Sequence, residues 1–189
     1  MRCLAILALL CATPPAFAAQ DLTIDASHSA VVFSWSHFGF SNPVARFEKI
    51  EGNLLLDPAD LTRSSVTVVL PLAGLRSGDE RLDTRLKTDE FLDATRYPEI
   101  RFTSTRVETL PDGMLKVTGD LSVHGVTKTV TLNAKVDRIG VHPISKAPAA
   151  GFDAETVIRR SDFGVSKYVP AMTDELHVHI TLAADLRQH

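Results

Sequence analysis

Hydrophobic and polar residues alternate along most of the chain. In residues 30–38 the side chains of Val31, Phe33, Trp35 and His37 fall on one face of an extended backbone, with polar serines among the intervening positions. The same period of two recurs at residues 50–56, 66–70, 100–107, 115–123, 130–136, 152–158 and 176–182. A period of two is typical of half-buried β-strands. Eight such strands separated by turns predict a closed antiparallel barrel or a β-sandwich.

Three segments depart from this alternation. Residues 79–93 carry Leu82, Leu86 and Phe91 among charged side chains at a nearly helical spacing, which predicts one or two short helices capping a barrel end. The sequence Pro-Asp-Gly at 111–113 predicts a hairpin turn. Residues 140–151 contain two prolines and several alanines, and we predict a long loop there.

The N-terminus has the pattern of a secretory signal peptide over residues 1–18. Arg2 provides a positive start, residues 3–12 are apolar, and Ala-Phe-Ala at 16–18 is a cleavage signal. The apolar run is too short to span a bilayer as a helix. Cleavage after Ala18 would leave one domain at residues 19–189 and would place the protein in the periplasm. It would also remove Cys3 and Cys11, and with them any disulfide, thiolate nucleophile or cysteine metal ligand.

Charge and motifs narrow the function classes further. The chain has 20 basic and 23 acidic residues, and removal of Arg2 with the leader leaves 19 basic residues and a net charge of -4. This mild acidity argues against partners such as nucleic acid and anionic lipid surfaces. The sequence has no G-x-S-x-G elbow, no H-E-x-x-H and no phosphate-binding glycine loop, which disfavours an enzyme without excluding one.

Several blocks of sequence together resemble one known family. Residues 118–130 (TGDLSVHGVTKTV) and 97–105 (YPEIRFTST) closely resemble segments of the YceI family of secreted, lipocalin-like barrels that carry polyisoprenoids and other long apolar molecules. Further blocks match in register at 25–33, 36–41, 47–52, 87–91, 151–154 and 160–164. The resemblance implies an eight-stranded antiparallel barrel with an elongated apolar cavity, and it allows a homodimer, since family members often associate as dimers. The chain departs from the family at three positions: Ala45 stands where a glycine is usual, Arg85 where a histidine is common, and Thr129 where a proline is frequent.

The resemblance also changes how the inward faces are interpreted. From alternation alone, the inward side chains would form an ordinary filled core. The family's cavity makes them ligand-binding candidates instead, with Phe91 added from the helical cap; the set is Val31, Phe33, Trp35, Phe91, Phe102, Leu121, Phe152 and Ile158. Trp35, the only tryptophan, would lie between the apolar lining and a polar mouth.

Polar candidates lie where the inward faces end. His37 and Arg160 each follow an apolar run, so we expect them at the mouth, beside the head group of a ligand. The alternatives are a structural histidine for His37 and, for Arg160, a solvated charge or a clamp on Asp83 or Asp162. His177 and His179 share a strand face at a spacing compatible with metal, but that face points to water and no third ligand is near. We therefore predict neither a metal site nor a cofactor.

These observations favour a binding protein over a catalyst. The leading hypothesis is a periplasmic carrier that holds a polyisoprenoid or an isoprenoid quinone in the barrel cavity. One alternative is a protein that sequesters fatty acids, fatty amides or apolar drugs in the same cavity. The other is an enzyme acting on a cavity-bound lipid, for which His37 and Asp83 are the candidate acid–base pair.

Overall fold

Eleven β-segments and one short α-helix make up the architecture. The computed structural model describes residues 19–186, so the predicted signal peptide at 1–18 lies outside the described residues. The segments are β1 (Gln20–Ile24), β2 (Ala30–Ser34), β3 (Val44–Phe47), β4 (Glu51–Leu56), β5 (Ser65–Pro71), β6 (Leu75–Arg76), helix α1 (Glu80–Leu86), β7 (Glu99–Thr109), β8 (Leu115–Val123), β9 (Val126–Val141), β10 (Pro148–Arg159) and β11 (Glu175–Asp185).

The eleven segments form eight antiparallel strands of a closed barrel. Three strands are each made of two segments, namely β1 with β2, β3 with β4, and β5 with β6, since β1 pairs with β4, β2 with β3, and β3 with β6. From β4 the pairing runs through β5, β7, β8, β9, β10 and β11. The barrel closes because β11 pairs with β1 near Asp185 and with β2 near Ile180. The predicted eight-stranded antiparallel barrel is confirmed.

One of the two predicted connections, the hairpin between β7 and β8, is confirmed, and the other, the long loop before β10, is wrong. The hairpin at 111–113 is confirmed, since the Leu110 N–H donates to the Met114 carbonyl at 2.8 Å. The long loop predicted at 140–151 is wrong, because β9 continues to Val141 and β10 begins at Pro148. Pro148 is the first residue of its strand, a position where the missing N–H costs no internal ladder bond. Proline at that position therefore marks the start of a strand rather than a loop.

Helix α1 lies where the helical spacing predicted it. Its N-cap is Asp79, whose carboxylate accepts the N–H groups of Arg81 and Leu82. Hydrogen bonds from the Arg81 side chain and from these amides lower the pKa of Asp79 to about 2. Turns rather than a second α-helix follow as far as residue 96. Within residues 19–186, no helix is long and apolar enough to cross a membrane.

The two ends of the barrel are built differently. At one end, α1 lies beside two loops, residues 35–43 and residues 160–174; we call this end the mouth and the second segment the closing loop. At the other end, residues 57–64 fold across the barrel around Asp57, which is only 1% exposed. Arg63 donates to the Asp57 carboxylate, which holds the pKa of Asp57 below its ordinary value. Asp57 also accepts the amides of Ala59 and Asp60.

Candidate functional site

A cavity of about 810 Å³ occupies the barrel interior and opens at the mouth. This volume lies within the range of roughly 300–1,000 Å³ that is typical of ligand pockets. The structure places all ten predicted site residues along this cavity: Val31, Phe33, Trp35, His37, Phe91, Phe102, Leu121, Phe152, Ile158 and Arg160. That each of them contacts a ligand stays a prediction.

The cavity wall is almost entirely apolar, because every barrel strand turns alternate side chains inward. The sequence prediction was incomplete here. It named no residue of β4, β5, β9 or β11, although all four show the same alternation; their lining residues include Leu54, Leu56, Val66, Val68, Leu70, Val130, Leu132, Leu176, Val178, Ile180 and Leu182. Thr156, a polar residue on this wall, donates its hydroxyl to the Thr131 carbonyl at 2.8 Å. Its hydroxyl is thereby hydrogen-bonded within the wall.

A glycine on the strand beside Phe102, diagonal to it in the pairing, helps to keep the interior open. A Cβ atom added at Gly119 would lie 2.4 Å from the Phe102 ring, so the ring occupies the place of a side chain at that position. Phe102 and Gly119 are on the neighbouring strands β7 and β8. The aromatic ring therefore lies along the wall and leaves the centre of the barrel free.

Trp35 lies on the wall between the deep interior and the mouth. It is 6% exposed, and its ring stacks on Phe33 with centroids 5.8 Å apart. Phe33 in turn packs against Phe47 at 6.0 Å. His37, two residues further along the chain, is exposed and lines the mouth. The predicted order, from apolar lining through Trp35 to a polar mouth, matches the structure.

Aromatic side chains surround the mouth. The ring of His37 contacts Phe38 edge-on with centroids 4.7 Å apart, and Phe38 contacts Tyr168 in the same way at 6.0 Å. Tyr168 also lies 6.5 Å from Phe91, which the sequence had assigned to the cap. These residues come from the 35–43 loop, the closing loop and the turns after α1, so the mouth assembles from three segments far apart in sequence.

A charged cluster adjoins this aromatic rim. Arg85 donates to the Tyr168 hydroxyl at 3.2 Å and pairs with Glu90 at 2.6 Å. Lys167 pairs with the same carboxylate at 2.8 Å, and this hydrogen bond, together with the nearby Arg85 charge, lowers the pKa of Glu90. The same bond raises the pKa of Lys167. Two cations thus share one carboxylate, which leaves one excess positive charge beside an apolar cavity.

Sequence reasoning found only part of this rim. Arg85 was identified as a departure from the family, but Tyr168, Glu90 and Lys167 were missed. Lys167 and Tyr168 belong to the closing loop, which has no hydrophobic period. No pattern in the sequence shows that this loop folds back over the mouth.

The structure corrects the expectation that Arg160 lies where the lining meets solvent. Arg160 is only 6% exposed. Its guanidinium donates to four backbone carbonyls of the closing loop: Val165 at 3.0 Å, Lys167 at 2.9 Å, Met172 at 3.2 Å and Thr173 at 2.9 Å. Burial lowers its pKa below the ordinary value. The guanidinium therefore holds the closing loop in place and is not a clamp on Asp83 or Asp162.

The proposed acid–base pair does not meet in the cavity. Asp83 is buried and accepts the Ser77 N–H and hydroxyl, both at 2.6 Å. It is not among the residues that line the cavity, whereas His37 is. His177 and His179 are exposed on β11, and the described residues include no group of three or more potential ligands that could hold a metal ion.

Comparisons with known proteins agree with this architecture. A family model described as the YceI-like domain matches residues 22–184. A UPF0312 protein of Vibrio vulnificus is 36% identical over 179 residues, which cover 91% of this chain and 93% of that protein.

Two solved structures have the same fold. BcnA of Burkholderia cenocepacia superimposes with a TM-score of 0.76 at 24% identity, covering 85% of this chain and 98% of that one. A polyisoprenoid binding domain from Saccharophagus degradans, implicated in plant cell wall breakdown, gives a TM-score of 0.65 at 15% identity, covering 88% and 98%. The family match spans nearly the whole barrel, and this chain therefore belongs to the YceI-like domain family.

Proposed function

We propose that this protein is a periplasmic carrier that holds one long apolar molecule, a polyisoprenoid or an isoprenoid quinone, in the barrel cavity. The tail lies along the wall that includes Phe33, Phe102 and Phe152, and the head group lies at the mouth beside His37, Arg85 and Tyr168. A binding role is favoured over catalysis because Asp83, the expected partner of His37, does not reach the cavity.

The observation that carries this proposal is the size of the apolar cavity. At about 810 Å³ the cavity is in the upper part of the roughly 300–1,000 Å³ range of ligand pockets, which is room for a long ligand. Water is a poor filler for so apolar a wall, whereas each buried CH₂ group of a ligand gains about 0.8 kcal/mol.

The choice of tail chemistry is supported by the fold. A structural neighbour from Saccharophagus degradans is a polyisoprenoid binding domain. In this chain the wall offers continuous apolar surface and few hydrogen-bonding groups, which suits a hydrocarbon tail that needs no polar contacts. The periplasmic location is supported by the leader-like sequence at residues 1–18.

Trp35 provides a direct test of binding. Adding a long-chain polyprenol or quinone to delipidated protein should shift or quench the tryptophan emission saturably, because the indole lies on the cavity wall. Replacing Trp35 by alanine should weaken binding by about 1–3 kcal/mol through lost apolar contact. Native mass spectrometry would measure that affinity independently of fluorescence. If mass spectrometry shows a bound ligand while the emission does not change, Trp35 is not part of the binding site. If the protein takes up no apolar probe at all, the carrier role is refuted.

Arg85 should discriminate between head groups. Because Arg85 and Lys167 both pair with the single carboxylate of Glu90, we expect the rim to favour a head group that carries negative charge over a neutral one. Changing Arg85 to glutamine should weaken binding of a polyprenyl phosphate by about tenfold and leave that of the matching neutral polyprenol nearly unchanged, as expected for a lost charge-assisted hydrogen bond. Competition of the two lipids against one labelled ligand measures the ratio. Equal losses for both lipids would indicate that Arg85 only shapes the mouth.

A further inference from the structure

We propose that the turn at residues 37–41 inserts its aromatic tip into the surface of a phospholipid bilayer and so places the cavity mouth against the membrane. This proposal rests on the carrier function, since a lipid cargo must leave and enter a bilayer. It names the surface through which that exchange takes place.

The turn exposes an aromatic side chain at its tip. Phe40 is 91% exposed. Among the large hydrophobic residues in the described part of the chain, it has the most exposed side chain. The turn is closed by hydrogen bonds from the His37 N–H to the Ser41 carbonyl at 2.8 Å and from the Phe40 N–H to the His37 carbonyl at 3.0 Å. Phe38 and Gly39 have φ angles of 55° and 78°, so the backbone reverses tightly. The ring of Phe40 is therefore held outward by an ordered backbone.

The tip adjoins the cavity. Phe38, two residues before Phe40, lines the cavity and is itself 40% exposed. It contacts Tyr168, which also lines the cavity and is 44% exposed. A lipid that leaves a membrane at this point would pass along aromatic surface into the barrel without crossing a polar barrier of backbone groups.

Shape and charge favour a bilayer over a second protein. A stable protein interface buries about 800 Å² per partner, far more than one protruding aromatic turn provides. A bilayer interface accepts single aromatic rings at the level of its head groups. Beside the tip, the exposed side chains of Arg85 and Lys167 match the phosphate groups of phospholipids. Because insertion is apolar, it does not require an anionic membrane, and the net charge of -4 that remains after removal of the leader does not oppose it on neutral lipid.

Vesicle flotation tests the proposal with a matched control. Ile144 is 85% exposed in the β9–β10 loop, at the opposite end of the barrel from Phe40. Wild-type protein should float with phosphatidylcholine vesicles. Changing Phe40 to serine should lower the partition coefficient about tenfold, the loss expected for one buried aromatic side chain. Changing Ile144 to serine should leave the partition coefficient unchanged.

Three results would overturn the proposal: no flotation of the wild type, equal partitioning of the wild type and the Phe40→Ser variant, or equal losses in the two variants. A wild-type dimer in light scattering that becomes a monomer in Phe40→Ser would also overturn it, by assigning the turn to a second copy of the chain. The carrier function is tested separately by titrating ligand from detergent micelles while following Trp35 emission. Phe40→Ser should bind there like the wild type, because Phe40 is not among the cavity-lining residues.

Discussion

Replacing Arg160 by leucine should lower the free energy of unfolding by about 3 kcal/mol. The guanidinium donates to four carbonyls of the closing loop, and leucine would leave those carbonyls without donors in a buried site. Each buried carbonyl without a partner costs about 1–3 kcal/mol, but some would reach water as the loop relaxes. Urea denaturation of the two proteins measures the difference.

The neighbouring arginine supplies the control. Arg159 carries the same charge, but its side chain is 64% exposed and pairs with Asp174 at 3.1 Å. Changing Arg159 to leucine should cost less than about 1 kcal/mol, because exposed ion pairs contribute little. Arg160→Lys should fall between wild type and Arg160→Leu, since an ammonium group cannot reach four divergent carbonyls.

A further measurement locates the effect of Arg160. The Val165 N–H donates to the Arg160 carbonyl at 3.1 Å, within the closing loop. If Arg160 holds that loop, amide hydrogen exchange in Arg160→Leu should accelerate at residues 160–174 more than in the central strands. Uniform acceleration throughout the barrel, or a stability equal to that of Arg159→Leu, would contradict the assigned role.

The barrel wall could be predicted from sequence because one physical rule determines it. A strand that faces a hydrophobic interior on one side must alternate, so Val31, Phe33 and Trp35 indicate both a strand and its inward face. The nine residues chosen on or at the end of such faces all line the cavity, and so does Phe91, which was chosen from the helical cap. Alternation could not show whether the interior is filled or open, because apolar side chains face inward in both cases. That distinction came from the family resemblance and from the volume in the structure.

The mouth could not be predicted from the sequence. Its contacts join residues that are far apart in the chain, and its segments show no hydrophobic periodicity. Arg160 follows an apolar strand face, so the sequence placed it at the solvent boundary. The structure buries it, because the closing loop turns back over it and supplies carbonyl acceptors between Val165 and Thr173. The pairing of Glu90 with Lys167 joins residues 77 positions apart. Local sequence carries no information about such a contact.

A bulky residue in the middle of β10 should block ligand binding with little effect on the fold. Ala154 lines the cavity between Phe152 and Thr156 and pairs with Ala134 on β9, which also lines it. A tryptophan at position 154 would project into the open interior and would exclude part of the tail. Displacing about four CH₂ groups at roughly 0.8 kcal/mol each costs about 3 kcal/mol, so the affinity should fall about a hundredfold.

The adjacent residue on the same strand gives the matched control for Ala154→Trp. Glu155 is exposed and faces away from the interior, so Glu155→Trp should leave the affinity unchanged. Binding is best followed by retention of a radiolabelled lipid, since both variants add a second tryptophan. Because the cavity has room for the indole, we expect the stability of Ala154→Trp to stay within about 1 kcal/mol of wild type, whereas overpacking a filled core costs about 1–3 kcal/mol or more. Unchanged affinity in Ala154→Trp would place the ligand outside the barrel, and a severe loss of stability would mean that the interior is a packed core.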